Sequence, residues 1–464
     1  MQLWTLIRAL AGRRTDWHLV RPHVLFPRRA SFAAVGPLAV VASVVASWFA
    51  FTSARGEGSV ALGLFVGATS ILLMSWSFLL ALRVRWMEPL FGGLDRMYRV
   101  HRWAGTLAVV AMFLHTTLEP EIDGGIRGAA KSLADGAEEL AGVAEVLLYV
   151  LVAISLIRWV PYRYWRLTHK LLGVPYLFAC WHFFTAEKPY ANGSGWGWWF
   201  GVWMVAGAAA FVWRVVVGDG LLRGVPHRVV STTVVGPALE VSLQPEGRRR
   251  VHHRAGQFAF IRVQLPWLGE PHPFTIASRP DDPQLRFVIG AFGDWSQRLQ
   301  QAPLVGARVL VDGPYGRFRP LAPGRPVLWV AGGVGITPFL AATGTLQSEP
   351  DAARRPTLVY SVTARDRAIA LAELEQAAAD GRINLSLHVS QEGTRLVPSQ
   401  LAAIVGRDDL SGVHVSVCGP ARLVSAVAMA ATALHASRVH REEFEMRSGF
   451  GPDLSVEIDA LLRR

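Results

Sequence analysis

Two stretches decide the fold: "HRWAGTLAVVAMFLHTT" (His101–Thr117) and "THKLLGVPYLFACWHFF" (Thr168–Phe184). Each is apolar enough for a lipid bilayer, yet each carries a histidine near either end. Ionisable side chains are costly inside a membrane and mark functional positions. One such imidazole is as often a hydrogen-bonded core residue; four, paired on two segments, weaken that explanation. His101 and His115 are fourteen residues apart, roughly 21 Å along a helix, and about 40° from sharing one direction. His169 and His182 are thirteen apart, which on an ideal helix would turn them roughly 140° from each other. The second segment is therefore predicted to be bent or over-wound between them, where Gly173 and Pro175 lie.

Working outward, the chain divides by composition. Of its 464 residues, those from Ser31 to about Gly218 are dominated by apolar blocks, and those after Leu221 read like a soluble protein. The change falls near "GDGLLRGVPHR" (218–228). Six blocks are long enough to span roughly 30 Å of hydrocarbon, near 32–52, 60–83, 101–118, 141–160, 167–186 and 195–217. Leu3, Leu6, Ile7 and Leu10, with Arg8, Arg13 and Arg14 nearby, make residues 1–30 either an interfacial amphipathic helix or a basic tail. Arg21, Arg28, Arg29, Arg83, Arg85, Arg96, Arg99, Arg158, Arg163, Arg166, Arg214 and Arg223 gather at one side of the blocks, and the loop after the third is acidic. By the positive-inside rule the N-terminus and the soluble half face the cytoplasm of a multi-pass cell-membrane protein. Trp196, Trp198 and Trp199 suit an interfacial belt.

The chain carries a formal charge of +12, and arginines scattered between its apolar blocks read as setting topology, which argues against nucleic acid as a partner. The two cysteines, Cys180 and Cys418, provide neither a disulfide framework nor a thiolate metal site. With this orientation His101 and His169 share the inner level, His115 and His182 the outer. Two opposed neutral imidazoles at one level are axial ligands for a haem iron, so the four histidines predict two stacked b-type haems. Both axial positions are then filled, which suits electron passage rather than binding at iron.

The soluble half begins with β-rich runs, "FAFIRVQLP", "LRFVIGAF" and "ARVLVDGPYG", as in a small antiparallel barrel. "PVLWVAGGVGITPFLAATGTL" then reads as a buried strand, a glycine-rich turn and a helix, followed by the strands "TLVYSV" and "VHVSVCGP". This is the α/β pattern of a nucleotide-binding domain. Gly332, Gly333 and Gly335 would admit a pyrophosphate to backbone N–H groups, although such a turn also serves plain strand–helix packing. The expected fold is a multidomain membrane protein. A basic segment (1–30) precedes a six-helix transmembrane bundle (31–220), an antiparallel β-barrel (221–325) and an α/β nucleotide-binding domain (326–464).

The ordered motifs "HPFTIAS" (272–278), "GDWS" (293–296), "GPYG" (313–316), "AGGVGITP" (331–338), "CGP" (418–420) and "EEFEMR" (442–447) resemble the ferredoxin–NADP reductase superfamily. Joined to the histidine-paired bundle, the chain is similar to the ferric reductase and NADPH oxidase family of membrane flavocytochromes b over nearly its whole length. The resemblance implies that His272, Pro273, Phe274 and Thr275 hold FAD, with Arg279 or Ser296 reaching its phosphates. Gly332, Gly333, Gly335, Thr337 and Pro338 would cradle the nicotinamide dinucleotide, and Cys418, Gly419 and Pro420 would line the nicotinamide pocket. Phe444 matches the aromatic residue that covers the flavin, with twenty residues still to follow it. Ser361 and Arg365 suit the 2′-phosphate of NADPH, NADH remaining the alternative.

The implied activity is NAD(P)H-dependent electron transfer across the membrane to a small acceptor: oxygen giving superoxide, a ferric or other metal chelate, or a quinone or protein partner. Many family oxidases carry a histidine one turn beyond the outer ligand of the third span; here that position is Glu119. Glu119, Glu121 and Asp123 are either a solvated loop or an attractor of hard cations.

Overall fold

The computed structural model describes residues 32–54, 59–157, 159–217, 224–321 and 324–442. The N-terminal segment, Arg158, Arg223 and Phe444 lie outside the described residues. The apolar blocks form helices α1 (Val35–Trp48), α2 (Val60–Ala81), α3 (Leu94–Leu118) and α4 (Lys131–Leu156). There follow α5 (Tyr162–Lys170), α6 (Gly173–Thr185) and α7 (Gly195–Val212), the last continued by a wider turn, Trp213–Val217. Three helical stretches, Val60–Ala81, Lys131–Leu156 and Gly195–Val215, are long and apolar enough to cross a membrane. Helix α1 has 14 residues, about 21 Å, so it falls short of the expected 32–52 block.

Two boundaries correct the hydropathy reading. Helix α3 starts at Leu94 rather than 101, and α4 at Lys131 rather than 141. Charges end an apolar run without ending a helix: Asp95 favours the positive end of α3 and lies 3.6 Å from Arg99 one turn on. The acidic loop shrinks accordingly to residues 119–130. The expected over-winding is present: Leu171 and Leu172 keep helical dihedral angles, but their N–H groups donate three residues back, to the Thr168 and His169 carbonyls. The α-helix proper stops at Lys170 and restarts at Gly173, so Pro175 stands in the first turn of α6, where its missing N–H leaves no intrahelical bond unmade.

Helix α2 forms the centre of the bundle, with Leu72 and Leu80 fully buried and Ser70 Oγ donating to the Ala108 carbonyl of α3 at 2.8 Å. The outer helices show apolar stripes instead: Trp103, Leu107, Val110 and Leu114 on α3, Val143, Val146 and Val150 on α4, and Trp198, Val202 and Val205 on α7 are all exposed. Stripes at three- and four-residue spacing make a broad apolar surface that suits lipid. At the end remote from the dehydrogenase half, strands β1 (Ile126–Arg127) and β2 (Glu187–Lys188) pair antiparallel and tie two loops together.

Six antiparallel strands follow: β3 (Val225–Val235), β4 (Ala238–Pro245), β5 (Phe258–Val263), β6 (His272–Thr275), β7 (Leu285–Gly290) and β8 (Arg308–Tyr315). Their order is β6-β5-β8-β3-β4-β7, and a single bridge between Ile276 and Phe287 brings the two edges together as a half-barrel. Helix α8 (Asp294–Gln301) packs Trp295 and Leu299 into its core. The last part is a parallel sheet of β9 (Val327–Gly332), β10 (Thr357–Val362), β11 (Asn384–Val389), β12 (His414–Cys418) and β13 (Arg438–Glu442), in the order β11-β10-β9-β12-β13. Strands β9, β10 and β12 are almost wholly buried, as a sheet covered on both faces requires. Helices α9 (Thr337–Thr343), α10 (Leu371–Ala379) and α11 (Ala421–Ala433) accompany it.

Candidate functional site

The break between α5 and α6 lets α5 turn His169 toward α3. The rings of His101 and His169 face each other with centroids 6.2 Å apart and planes at 70°. That separation accommodates two metal–nitrogen bonds of about 2 Å plus the two ring radii. Proton positions follow from the partners. His101 Nδ1 lies 2.9 Å from the Ser77 carbonyl, which only accepts, so Nδ1 carries the hydrogen and Nε2 keeps its lone pair. Ser155 Oγ spends its hydrogen on the Leu151 carbonyl at 2.7 Å, so it accepts from His169 Nδ1 at 3.1 Å. Both Nε2 atoms are left in the form a metal takes, and the donor chemistry fits a haem iron.

This pair lines a cavity of about 2300 Å³ that continues into the dehydrogenase half. A single ligand fills roughly 300–1,000 Å³, so the space accommodates more than one group. Its further wall holds Pro273 and Phe274 of β6, His272, Trp295 and Ser296. Phe274 stacks on Trp295 at 5.7 Å and 24°, a flat surface of the kind a ring system packs against. A Cβ on Gly293 would meet nothing within 4 Å, which leaves that backbone bare beside the same wall. These features fit a flavin. Ser296 caps its own helix: its Oγ donates to the Gly293 carbonyl and accepts from the Gly293 N–H, both at 3.0 Å. Thr275 is buried within the barrel, and Arg279 pairs with Asp282 at 3.0 Å away from the cavity lining.

The two halves meet through buried polar contacts. The Arg83 guanidinium sits 3.9 Å above the Phe260 ring and 3.5 Å from Asp312, whose other oxygen accepts from Tyr315 Oη at 2.9 Å. Glu88 Oε1 accepts the Gly316 N–H at 2.8 Å. Burial pushes the Glu88 carboxyl up from its ordinary range, against the lowering pull of that N–H. Phe258, Phe260 and Tyr315 join the same apolar cluster as Phe91, Leu94 and Met97.

In the parallel sheet, the glycines meet two needs. A Cβ on Gly335 would collide with the Cys418 carbonyl, and one on Gly332 would lie 2.9 Å from Pro420 Cδ, so both permit the ends of β9 and β12 to touch. Gly333 has φ +52° and open space where a Cβ would stand, which fits close approach of a cofactor phosphate. Gly419 has φ +157° and packs on the Gly332 backbone. Thr337 is buried and donates to the Val334 carbonyl at 3.0 Å; Pro338 follows it into α9. Cys418 is buried at the end of β12. Ser361 is half-buried on β10 opposite Gly332. Arg365 is exposed and pairs with Glu375 at 3.0 Å, so its guanidinium already has a carboxylate partner.

His115 and His182 stand in the last turns of α3 and α6, beyond the cavity lining. His115 Nδ1 lies 2.9 Å from the Gly63 carbonyl, which again leaves Nε2 for a metal. Glu119, Glu121 and Asp123 are all exposed, and among the described residues no three His, Cys, Asp or Glu side chains gather into a metal-holding group. The sequence reading missed Arg83, Glu88, Asp312, Ser155, Tyr162 and Trp165. For the last two a signal was present, since Tyr162, Trp165 and His169 are spaced for one helical face.

Comparison with known proteins agrees with this layout. A family described as the ferric reductase like transmembrane component matches residues 66–180, taking in His101, His115 and His169. An FAD-binding domain matches 232–319, and an oxidoreductase NAD-binding domain matches 329–429. The chain is 28% identical to the 2-halobenzoate 1,2-dioxygenase electron transfer component of Burkholderia cepacia, over 48% of this chain and 65% of that protein. It is 25% identical to respiratory burst oxidase homolog protein E of Arabidopsis thaliana, over 47% and 27%. With NADPH oxidase 3 of Homo sapiens the figures are 28%, over 41% and 35%. The alignments thus span less than two thirds of each relative. The three domain matches follow one another along a single polypeptide: the chain joins a ferric reductase like transmembrane component to FAD-binding and NAD-binding domains, an NAD(P)H-dependent membrane oxidoreductase similar to NADPH oxidases and respiratory burst oxidase homologs.

Proposed function

We propose that this protein carries electrons from cytoplasmic NADPH, by way of FAD and two b-type haems, across the cell membrane to oxygen, releasing superoxide. The observation that carries the reading is the continuous cavity from Phe274 to the facing rings of His101 and His169. When bound, FAD takes hydride from the nicotinamide and gives electrons singly, and each haem carries one at its iron. The chain itself supplies position and insulation. His101 and His169 hold the near haem, and His115 and His182 the far one, with α1 to α7 making six spans in which α5 and α6 together form the fifth. Pro273 and Phe274 seat the flavin, and Gly333 admits the nucleotide phosphates, with Gly335 letting β9 and β12 close up beside it. Arg365 would exchange Glu375 for the 2′-phosphate of NADPH. Arg83, Arg85, Arg96 and Arg99, gathered toward the cavity end, support a cytoplasmic position for it under the positive-inside rule.

A second reading, reduction of a ferric chelate, is favoured by the exposed carboxylates Glu119, Glu121 and Asp123 at the far end. One experiment separates the two. The purified protein is reduced anaerobically with NADPH, then given oxygen, ferric chelate or quinone in turn. Rapid haem reoxidation by oxygen, with dye reduction abolished by superoxide dismutase, supports superoxide formation. Reoxidation by ferric chelate alone, lost on replacing the three carboxylates with amides, supports the second reading. Absence of a b-type haem spectrum sinks both.

A further inference from the structure

Helix α5 is short, begins after Pro161 and ends before the break at Leu171, so its single face is set independently of α6. That face carries Tyr162, Trp165 and His169. The Trp165 ring lies parallel to His169, at 11° and 4.9 Å. Tyr162 stacks on Trp165 at 5.6 Å and 23°, and on its other side meets His272 at 5.6 Å. His272 lies 4.3 Å from Trp295, which stacks on Phe274. Six rings therefore run from a ligand of the near haem to the wall proposed for the flavin, each within the roughly 7 Å limit of aromatic contact.

We propose that this stack, with Trp165 and Tyr162 at its middle, is the route by which an electron leaves the flavin for the near haem; the role rests on the electron-transfer reading above. One electron leaves the reduced flavin and one ferric iron becomes ferrous. No ring is oxidised and no bond forms or breaks, because the rings act as the coupling medium. Electronic coupling falls less steeply through packed atoms than across solvent, and all six rings make a continuous packed wall along the cavity that would hold donor and acceptor. Trp165 has a second task. Its Nε1–H donates to the Ser155 carbonyl at 2.9 Å, and Ser155 Oγ accepts from His169 Nδ1–H, so the indole helps to set the plane of the ligand ring.

The test uses the full-length protein loaded with haem and FAD, with stopped-flow resolution of flavin reduction and haem reduction after mixing with NADPH. Tyr162→Leu and Trp165→Leu should leave flavin reduction intact and slow haem reduction by about tenfold or more. Tyr162→Phe and Trp165→Phe, which keep a ring, should recover most of that loss. Because the rings act in series, the double Leu variant should be at least as slow as the slower single variant, with flavin reduction still unchanged. An independent readout is electron paramagnetic resonance of the ferric haems: Trp165→Leu should shift the signal of one haem and leave the other unchanged. Wild-type haem reduction in the Leu variants, no recovery in the Phe variants, or an unshifted signal overturns the stack while leaving the functional reading standing. Failure of the parent protein to bind haem, or of NADPH to bleach its flavin, overturns both.

Discussion

The two histidine pairs lie on the same two helical lines but in different surroundings. His101 and His169 face each other across a large cavity, with their Nδ1 atoms satisfied and Trp165 stacked behind one ring. His115 and His182 stand at helix ends, beyond that cavity and close to an exposed acidic loop. On the proposed reading, the near pair would receive electrons from the soluble half and the far pair would pass them outward. Ligand type is shared, so the difference in role comes from packing and access.

The largest effect that would break this contrast is loss of a ligand. His101→Leu should remove the near haem and abolish NADPH-driven reduction of the remaining one. His115→Leu should leave the near haem reducible by NADPH and stop turnover with external acceptors. Anaerobic difference spectra of the two variants check both outcomes. Equal behaviour would remove the order of the pairs. Next is Gly67→Ala, whose Cβ would stand 2.6 Å from His115 Nδ1. It should lower far-haem content, measured by pyridine haemochrome, and spare the near haem.

Arg83→Ala tests the feed to the near pair. Removing a buried guanidinium from Asp312 and Phe260 shifts the barrel against the bundle, and misplacement on the ångström scale costs on the order of a hundredfold in rate. Haem reduction should fall by about that factor or somewhat less, while NADPH reduction of a soluble dye at the flavin continues. The smallest effect concerns pH. Burial, with Arg438, His414, Arg96 and Arg319 nearby, pushes His440 down to about 4. A depressed histidine contributes stability above its unfolded value near 6.5 and loses it as pH falls toward about 4. Thermal stability should decline across that window, and His440→Asn should flatten the decline.

How much of this could be read without coordinates depended on range. The fourteen-residue spacing in α3 and the mismatched thirteen in the fifth block were local facts, and the helix break followed from their conflict. The half-barrel and the parallel sheet were visible as alternation and buried strands. The start of α3 was hidden because Asp95, Arg96 and Arg99 lower hydropathy without opposing helix. The docking contact was hidden because Arg83 and Glu88 meet Asp312 and Gly316 more than two hundred residues later. Ser296 and Arg365 matched cofactor motifs, yet in the folded chain each has a local partner, Gly293 and Glu375 respectively. Tyr162 and Trp165 sat in an arginine-rich connection, "PYRYWR", that reads first as topology.

The gap at Leu171–Leu172 has a consequence for how such a chain can change over time. Helix α3 is continuous, so one residue inserted between His101 and His115 would swing the second ring by about 100° and detach it. The opposite rail is jointed. An insertion at Leu171–Leu172 falls where the α-helical bonding is already replaced by a tighter turn, so α5 and α6 can each keep its own face. One side of the ladder is thus a fixed ruler and the other an adjustable one, and length variation in this family should collect on the adjustable side.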